Sequence, residues 1–260
     1  MKASVRARLR SVARSGAGTF PRAYGLWVDR RPIPANTVHD SDFQVLVGSD
    51  VRVAVDVGAN RGQTIVSLNT VLPHVRIVAL EANPHFVKRL RAMQRRYDGL
   101  TTLGVGCSSF PEVRLLHVPT ARGIAFDQWA TFSPPDRVTM LRMIRDAGFT
   151  WCRLEDVDVE ETPCASMPLD LILAGRDSLS VDLLKIDVEG AEREVLLGAH
   201  GLLTEHRPIV LAERATSAFD LLEPLGYVMW HSRTSQNTLF VHPEHRRRID
   251  QHLLASFFRP

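Results

Sequence analysis

The chain has 260 residues, of which 45% are hydrophobic and 23% charged, and its formal net charge is +3. These values are typical of a globular α/β domain of ordinary size and exclude an intrinsically disordered chain. No stretch approaches the roughly 20 consecutive apolar residues of a membrane-spanning helix, so we expect no membrane span and a cytoplasmic location. Only three of the 32 basic residues are lysine. Because no zinc-finger or RNA-binding signature accompanies the charge, we expect no nucleic-acid partner.

The cysteines and the N-terminal segment add little to this view. Cys107, Cys152 and Cys164 are odd in number and form no C-x-x-C pair, so neither a disulfide framework nor a structural zinc site is expected. The first 20 residues contain basic side chains and no acid, which resembles a transit peptide, although we favour a basic surface helix. We assign residues 1–45 to a helical or irregular extension and residues 46–260 to the main domain.

Strands and helices alternate along the first part of the main domain. The pattern predicts strands at 52–57, 75–81 and 100–106, and helices at 62–71 and 84–97, the second with Pro84 in its first turn. The alternation then stops over about 107–180, where strand-like runs at 113–118 and 157–163 flank a predicted helix at 136–147. A segment of this length is too long for a plain connection, and we interpret it as an inserted, cap-like segment.

Alternation resumes after the insertion. Strands are predicted at 181–187 and 208–213, helices at 190–197 and 216–224, two further strands at 227–231 and 238–242, and a helix at 244–256. The last two strands are separated only by Ser232–Asn237, which is too short for a helical crossover, so the last strand should be antiparallel. The chain is therefore predicted to be an α/β protein with a doubly wound, mostly parallel, seven-stranded sheet.

In such sheets, ligands bind beyond the carboxyl ends of the strands. The first strand ends in Asp56-Val57-Gly58-Ala59-Asn60-Arg61-Gly62. We expect a tight turn that exposes backbone N–H groups and, because glycine lacks a Cβ, admits a ligand closely. The pattern differs from the G-x-G-x-x-G fingerprint of nicotinamide-binding proteins, because an acid precedes the turn.

Two acids at neighbouring strand ends indicate the kind of ligand. Asp56 would repel a phosphate and attract an amino group or a sulfonium, and Glu81 can accept hydrogen bonds from ribose hydroxyls. Together they suit S-adenosylmethionine, although each also has a simpler interpretation, Asp56 as a buried capping acid and Glu81 as a surface acid. Further candidate contacts along the same edge are Gly58, Ala59, Asn60, Gly62, Thr64, Ala82, Asn83, Cys107, Ser108 and Asp187.

A second dense motif, Leu184-Lys185-Ile186-Asp187-Val188-Glu189-Gly190, ends the fourth core strand. Asp187 is placed to position a substrate, whereas Glu189 also suits the favourable charge at a helix N-terminus. Asp187 and Glu213 together form an alternative site for a divalent metal, which we consider possible but do not expect. If the acceptor is a hydroxyl, its proton needs a base, and the candidates are Asp187, His231 and His39.

The motifs Val-Asp-Val-Gly-Ala-Asn-x-Gly, Leu-Glu-Ala-Asn-Pro and Leu-Lys-Ile-Asp-Val-Glu-Gly-Ala-Glu, in this order, resemble the FkbM family of S-adenosylmethionine-dependent methyltransferases. The resemblance covers about residues 50–242 and includes Asn237-Thr238-Leu239-Phe240-Val241. It implies the Rossmann-like class I methyltransferase fold, with the last strand antiparallel between two others, and O-methylation of hydroxyls on sugars or secondary metabolites. It also implies that Asp56, Gly58, Asn60 and Gly62 form the cofactor loop, that Glu81 holds the ribose, and that Asp187 faces the reacting centre.

The sequence therefore predicts an S-adenosylmethionine-dependent O-methyltransferase with a small-molecule hydroxyl acceptor, on a sugar, polyketide or glycolipid. A non-catalytic cofactor-binding module and a nicotinamide-dependent oxidoreductase are the alternatives. Homo-oligomerisation is left open.

Overall fold

The computed structural model describes residues 33–133, 136–175 and 180–260. They divide into two compact units. The larger comprises Ile33–Leu116 and Pro163–Pro260, and the described part of the smaller lies within His117–Thr162. The predicted basic N-terminal helix, or transit-peptide-like segment, lies outside the described residues.

The described residues form twelve strands and eight α-helices. The strands are β1 (Val53–Val57), β2 (Arg76–Leu80), β3 (Leu100–Leu103), β4 (Gly106–Cys107), β5 (Glu112–Ala121), β6 (Ile124–Ala125), β7 (Val157–Met167), β8 (Leu183–Ile186), β9 (Ile209–Glu213), β10 (Val228–Ser232), β11 (Asn237–Val241) and β12 (Phe258–Arg259). The helices are α1 (Gln63–Val71), α2 (Pro84–Met93), α3 (Arg137–Asp146), α4 (Leu169–Leu173), α5 (Glu192–Leu197), α6 (His200–Glu205), α7 (Phe219–Leu222) and α8 (Gln251–Phe257).

The larger unit is built on a sheet with the strand order β12-β10-β11-β9-β8-β1-β2-β3. Neighbours from β9 to β3 pair in parallel, whereas β11 is antiparallel to both β9 and β10. The doubly wound sheet and the antiparallel last core strand are thus confirmed. One difference is an eighth strand, the short β12, which pairs antiparallel with the exposed edge of β10.

Both faces of this sheet are covered by apolar side chains, which explains why β1, β8 and β11 are buried along their whole length. Alternate residues enter two clusters, as the two-residue period of a strand requires. The first cluster, which we call the α1-side core, contains Phe43, Ala54, Ile65, Leu183, Leu211 and Leu239. The second, the α5-side core, contains Val55, Leu184, Ile186, Val195, Ala212 and Phe240.

A buried carboxylate fixes the segment that precedes β1. Residues Ser41–Leu46 form a 3₁₀ helix whose N-cap is Asp40. Asp42, which is fully buried, accepts hydrogen bonds from the side chains of Ser232, Thr234, Ser235 and Asn237 at 2.5–3.2 Å. These bonds fasten the segment to the turn between β10 and β11, so we expect the segment and the turn to unfold locally together.

The smaller unit has its own apolar cluster. Thr120 pairs with Ala125 across β5 and β6, and Asp136 caps the N-terminus of α3 through its side chain. Phe126 stacks on Trp129 with ring centroids 5.1 Å apart. This contact assigns Trp129 to packing within the unit.

The boundaries of several predicted elements need correction. The helix predicted to reach residue 97 ends at Met93, and the strand predicted to reach 106 ends at Leu103. The single helix predicted at 244–256 is a 3₁₀ helix, Pro243–Arg248, followed by α8, which begins after its N-cap Asp250. The short helices α4 and α6 were not predicted, since neither is long enough to show a helical period.

Candidate functional site

The carboxyl edge of the larger unit's sheet brings acidic side chains together. Asp56 lies in β1, Glu81 directly follows β2, Asp187 directly follows β8 and Glu213 ends β9. These strands are adjacent in the order β9-β8-β1-β2. Because parallel strands end at the same edge, acids far apart in sequence meet here.

Glu81 holds two backbone segments with its carboxylate. Oε2 accepts a hydrogen bond of 2.6 Å from the N–H of Asn60, and Oε1 accepts one of 2.8 Å from the N–H of Asn83. Asn83 in turn caps α2 by accepting from the N–H of His85. Burial raises the pKa of Glu81 to about 7. Glu81 therefore fixes the loop after β1 relative to the start of α2.

The loop after β1 does not present its N–H groups as we expected. The N–H groups of Gly58 and Ala59 both donate to the carbonyl of Leu80 at 3.0 Å, and Gly62 donates to Ala59 at 2.8 Å. The N–H of Asn60 donates to Glu81, so all four N–H groups form hydrogen bonds within the protein. The expectation that they cradle a ligand is wrong.

The glycines of this loop are explained by packing. At Gly58, where φ is +84°, a Cβ would lie 1.8 Å from the carbonyl oxygen of Asp187. At Gly62, where φ is +91°, it would lie 2.6 Å from the sulfur of Met93. Each site combines a left-handed backbone with close contact to a neighbouring element. Glycine is thus needed at both positions to seat the loop on β8 and α2; the role of these glycines toward a cofactor stays a prediction.

Asp56 lies beneath this loop and has no accessible surface. Neither carboxylate oxygen accepts a hydrogen bond of ordinary geometry from the described residues. Burial raises the pKa of Asp56 to about 7; the charge of Lys185 opposes this effect, and Thr64 lowers the pKa to a smaller extent. The expectation that Asp56 faces the ligand is wrong. Its buried carboxylate can affect a ligand only through its charge, from beneath the loop.

Lys185 is a site residue that we did not single out from the sequence. It is 3% exposed, is paired with Asp56 in the register of β1 and β8, and places Nζ 3.8 Å from Oδ2 of Asp187. The signal was present, because Lys185 is one of only three lysines and interrupts an otherwise apolar strand.

The accessible part of the site is a rim formed by Asp187, Glu189 and Glu213, whose side chains are 29–40% exposed. Burial, the charge of Asp187 and a hydrogen bond with Asp187 raise the pKa of Glu213 to about 7. Burial and the charge of Asp187 also raise the pKa of Glu189. The Arg214 guanidinium lies 3.7 Å from both Glu189 and Glu213. The rim can therefore attract a cation and take up a proton near neutral pH.

Cys107 ends β4 and Ser108 follows it, and the two residues are buried, 3% and 0% exposed. The Ser108 hydroxyl donates to the carbonyl of Phe110 at 2.7 Å, and Cys107 belongs to the α5-side core. Ala82 is partly accessible and accepts a hydrogen bond from Cys164 Sγ at 3.2 Å. Of these three, only Ala82 offers an accessible surface to a ligand.

The structure does not bring His231 to Asp187. His231 pairs with Thr238, Thr238 with Ala212, and Ala212 with Ile186. Directly opposed residues share a face, so His231 lies on the α5 side, whereas Asp187, one residue after Ile186, points to the α1 side. The strands β11 and β9 also separate β10 from β8.

His39 lies in the segment before β1. Its N–H donates to the hydroxyl of Ser67 at 2.9 Å, and its side chain is exposed. The next residue, Asp40, is near enough to Lys185 for the ammonium to lower its pKa, although burial, the larger effect, raises it. Asp40 also accepts a hydrogen bond of 2.6 Å from the side chain of Asn237, which fastens the segment to β11.

Within the parts of the chain that the structure describes, no group of three or more His, Cys, Asp or Glu side chains is arranged to hold a metal ion. Over the same residues, no helix is both long and apolar enough to span a bilayer.

Comparison with known proteins identifies the family. Residues 56–247 match the profile described as the methyltransferase FkbM domain. The chain belongs to the FkbM methyltransferase family. The match includes each of the four acids at the strand ends, and the observed topology is that of class I methyltransferases.

Three similar proteins share between 10% and 31% sequence identity with this chain. The AMB antimetabolite synthetase AmbE of Pseudomonas aeruginosa is 31% identical over 202 residues, which are 67% of this chain but 9% of that protein. A methyltransferase FkbM from Methylobacillus flagellatus is 19% identical with a TM-score of 0.48, covering 74% of this chain and 44% of that one. A putative O-methyltransferase from Klebsiella pneumoniae is 10% identical with a TM-score of 0.43, covering 92% and 96%.

Proposed function

We propose that this FkbM-family protein is an S-adenosylmethionine-dependent O-methyltransferase that acts on a hydroxyl of a sugar or secondary-metabolite acceptor. The observation that carries the proposal is the charge of the carboxyl edge. Carboxylates from β1, β2, β8 and β9 converge there, while the loop donors that a phosphate would need are already used inside the protein. Such an edge favours a cationic ligand over a phosphorylated one.

The residues at this edge fit the cofactor. Glu81 is 8% exposed and keeps lone pairs beyond its two backbone hydrogen bonds, so it suits ribose hydroxyls. Asp56, buried and without a hydrogen-bond partner of ordinary geometry among the described residues, adds negative charge beneath the loop. Asp187 is accessible and suits the positive end of the ligand. These roles follow from the chemistry of the donors and acceptors.

The chemistry of methyl transfer leaves the protein two tasks. When bound, the cofactor supplies a methyl group that its sulfonium already activates. Alignment of the acceptor oxygen can contribute on the order of 7–11 kcal/mol, and we assign it to Asp187. The hydroxyl proton then passes to a carboxylate of the Asp187–Glu213 pair, since the raised pKa of Glu213, about 7, suits a base near neutral pH.

The class of acceptor is inferred from the similar synthetase. AmbE is called an antimetabolite synthetase, which supports a secondary metabolite as the acceptor here. Because this chain spans about 9% of that protein, we infer nothing about the product of this chain from the product of the synthetase.

The proposal is tested by methyl transfer from labelled S-adenosylmethionine to a panel of sugars, polyketide alcohols and glycolipids. We expect label in at least one hydroxyl acceptor, and a loss of about 100-fold or more in Asp187→Asn. His231→Asn serves as the control, because His231 faces the other side of the sheet. Tight cofactor binding without label in any acceptor would instead favour a non-catalytic binding module.

A further inference from the structure

Lys185 is a buried cation that lies near Asp187 and is paired in register with Asp56. Its Nζ donates to the carbonyl of Ile186 at 3.2 Å and lies 3.8 Å from Asp187 Oδ2. On the neighbouring strand, Asp56 is its register partner, and neither oxygen of Asp56 accepts a hydrogen bond of ordinary geometry from the described residues. An ammonium at 3% exposure is costly to bury unless such charges compensate it.

The influence of this ammonium extends to other elements. It lowers the pKa of Asp40, from the segment before β1, and that of Glu213, at the end of β9, as well as that of Asp56. With Asp187, carboxylates from four separate elements are therefore within electrostatic range of this one buried charge. Lys185 acts as the electrostatic centre of the site.

Arg214 balances a different part of the acidic group. Its guanidinium lies 3.7 Å from the carboxylates of Glu189 and Glu213 and donates to the side chain of Gln236 at 2.6 Å. It is 59% exposed and offsets only part of the negative charge of the rim. Lys185 compensates the carboxylates that lie farther inside, those of Asp56 and Asp187.

Carboxylate oxygens at one strand edge are also the ligands that a hard divalent cation prefers. An ammonium and a divalent cation compete for the same negative charge, and an ammonium supplied by the chain itself is present at a high effective concentration that does not depend on the solution. We infer that Lys185 is the internal cation of this centre, in the role that a divalent metal has in a metal-dependent site, and that the protein works without such a metal. That the protein works without a metal rests on the proposed function, whereas the role of Lys185 as the internal cation does not.

The test is a titration with Mn²⁺, followed by the electron paramagnetic resonance signal of the free ion, without cofactor. Wild-type protein should show no saturable binding. Lys185→Met should gain one saturable site, at least about tenfold tighter than any binding by wild type, since uncompensated carboxylates set such affinities. Arg52→Met is the matched control: it removes the same charge from an exposed residue at the opposite edge of the sheet and should gain nothing. Lys185→Arg, which keeps the charge, should also gain nothing.

Two results would overturn the inference: Mn²⁺ binding by wild type that Asp187→Asn abolishes, or a folded Lys185→Met that gains no site. If Lys185→Met does not fold, the double variant Asp56→Asn/Lys185→Met removes one charge of each sign and is compared with Asp56→Asn. The double variant must then show the gain, and equal Mn²⁺ binding by the two would reject the inference. Failure of wild type to bind S-adenosylmethionine would end the proposed function without changing any of these metal titrations.

Discussion

Glu81 and Asn60 are joined by a hydrogen bond of 2.6 Å from the Asn60 backbone N–H to the Glu81 carboxylate. The bond connects the end of β2 to the loop after β1, in which Asn60 has a left-handed backbone with φ of +47°. The same carboxylate accepts from Asn83. One side chain thus fixes the two backbone segments that we assign to the cofactor, so its loss should affect stability and binding together.

Glu81→Gln should destabilise the fold by about 1–3 kcal/mol, because an amide NH₂ would face a backbone N–H that is now bound to a carboxylate oxygen. We also expect S-adenosylhomocysteine to bind about tenfold more weakly. Urea unfolding and titration calorimetry measure the two effects. Glu205→Gln, at an exposed position, is the control. Unchanged stability and affinity in Glu81→Gln would mean that the bond with Asn60 is not important.

Gly58→Ala should cost about 3 kcal/mol or more of unfolding free energy, because its Cβ would overlap the Asp187 carbonyl oxygen at 1.8 Å. Gly48 provides a matched control, since it also has a positive φ, +77°, but its Cβ would meet nothing within 4 Å. Gly48→Ala should lose only about 1 kcal/mol. Equal losses in urea unfolding would show that backbone conformation alone requires glycine at position 58.

The pH dependence of stability follows from Asp56 and Glu81. In the folded protein both have a pKa of about 7, raised from 3.8 and 4.5 by burial. Between these values the folded state binds more protons than the unfolded state, so the unfolding free energy falls as pH rises from about 5 to 7, by up to about 1.4 kcal/mol per pH unit for each group, and levels off above the folded pKa. Asp56→Asn should reduce this slope. A stability that rises over the same interval would contradict the assignment.

Asp42→Ala should destabilise the larger unit by about 3–5 kcal/mol, because four side-chain donors would lose their shared buried acceptor. Hydrogen exchange should increase both in Ser41–Leu46 and in the turn at 232–237. Ser217→Ala, at an exposed position outside both segments, is the control. Faster exchange in only one of the two segments would show that Asp42 does not couple them.

The sequence predicted the features that depend on local pattern and on the rules of parallel sheets. Asp187 and Glu213 follow apolar runs, and parallel strands end at one edge, so their meeting could be foreseen. The reason for Gly58 could not, because its contact with Asp187 requires knowing that β1 lies beside β8. The face of His231 depends on the register of two antiparallel strands, which a lone histidine does not reveal. Lys185 carries a signal, because it interrupts an apolar strand, but its role could not be predicted without knowing that Asp56 and Asp187 are its neighbours.

The acidic carboxyl edge should bind a sulfonium nucleoside and not a pyrophosphate. Titration calorimetry of the wild-type protein with S-adenosylmethionine, S-adenosylhomocysteine and NAD⁺ measures it directly. We expect one saturable site for each of the first two ligands, and no heat of binding for NAD⁺. Binding of NAD⁺ alone, or of none of the three, would contradict the account.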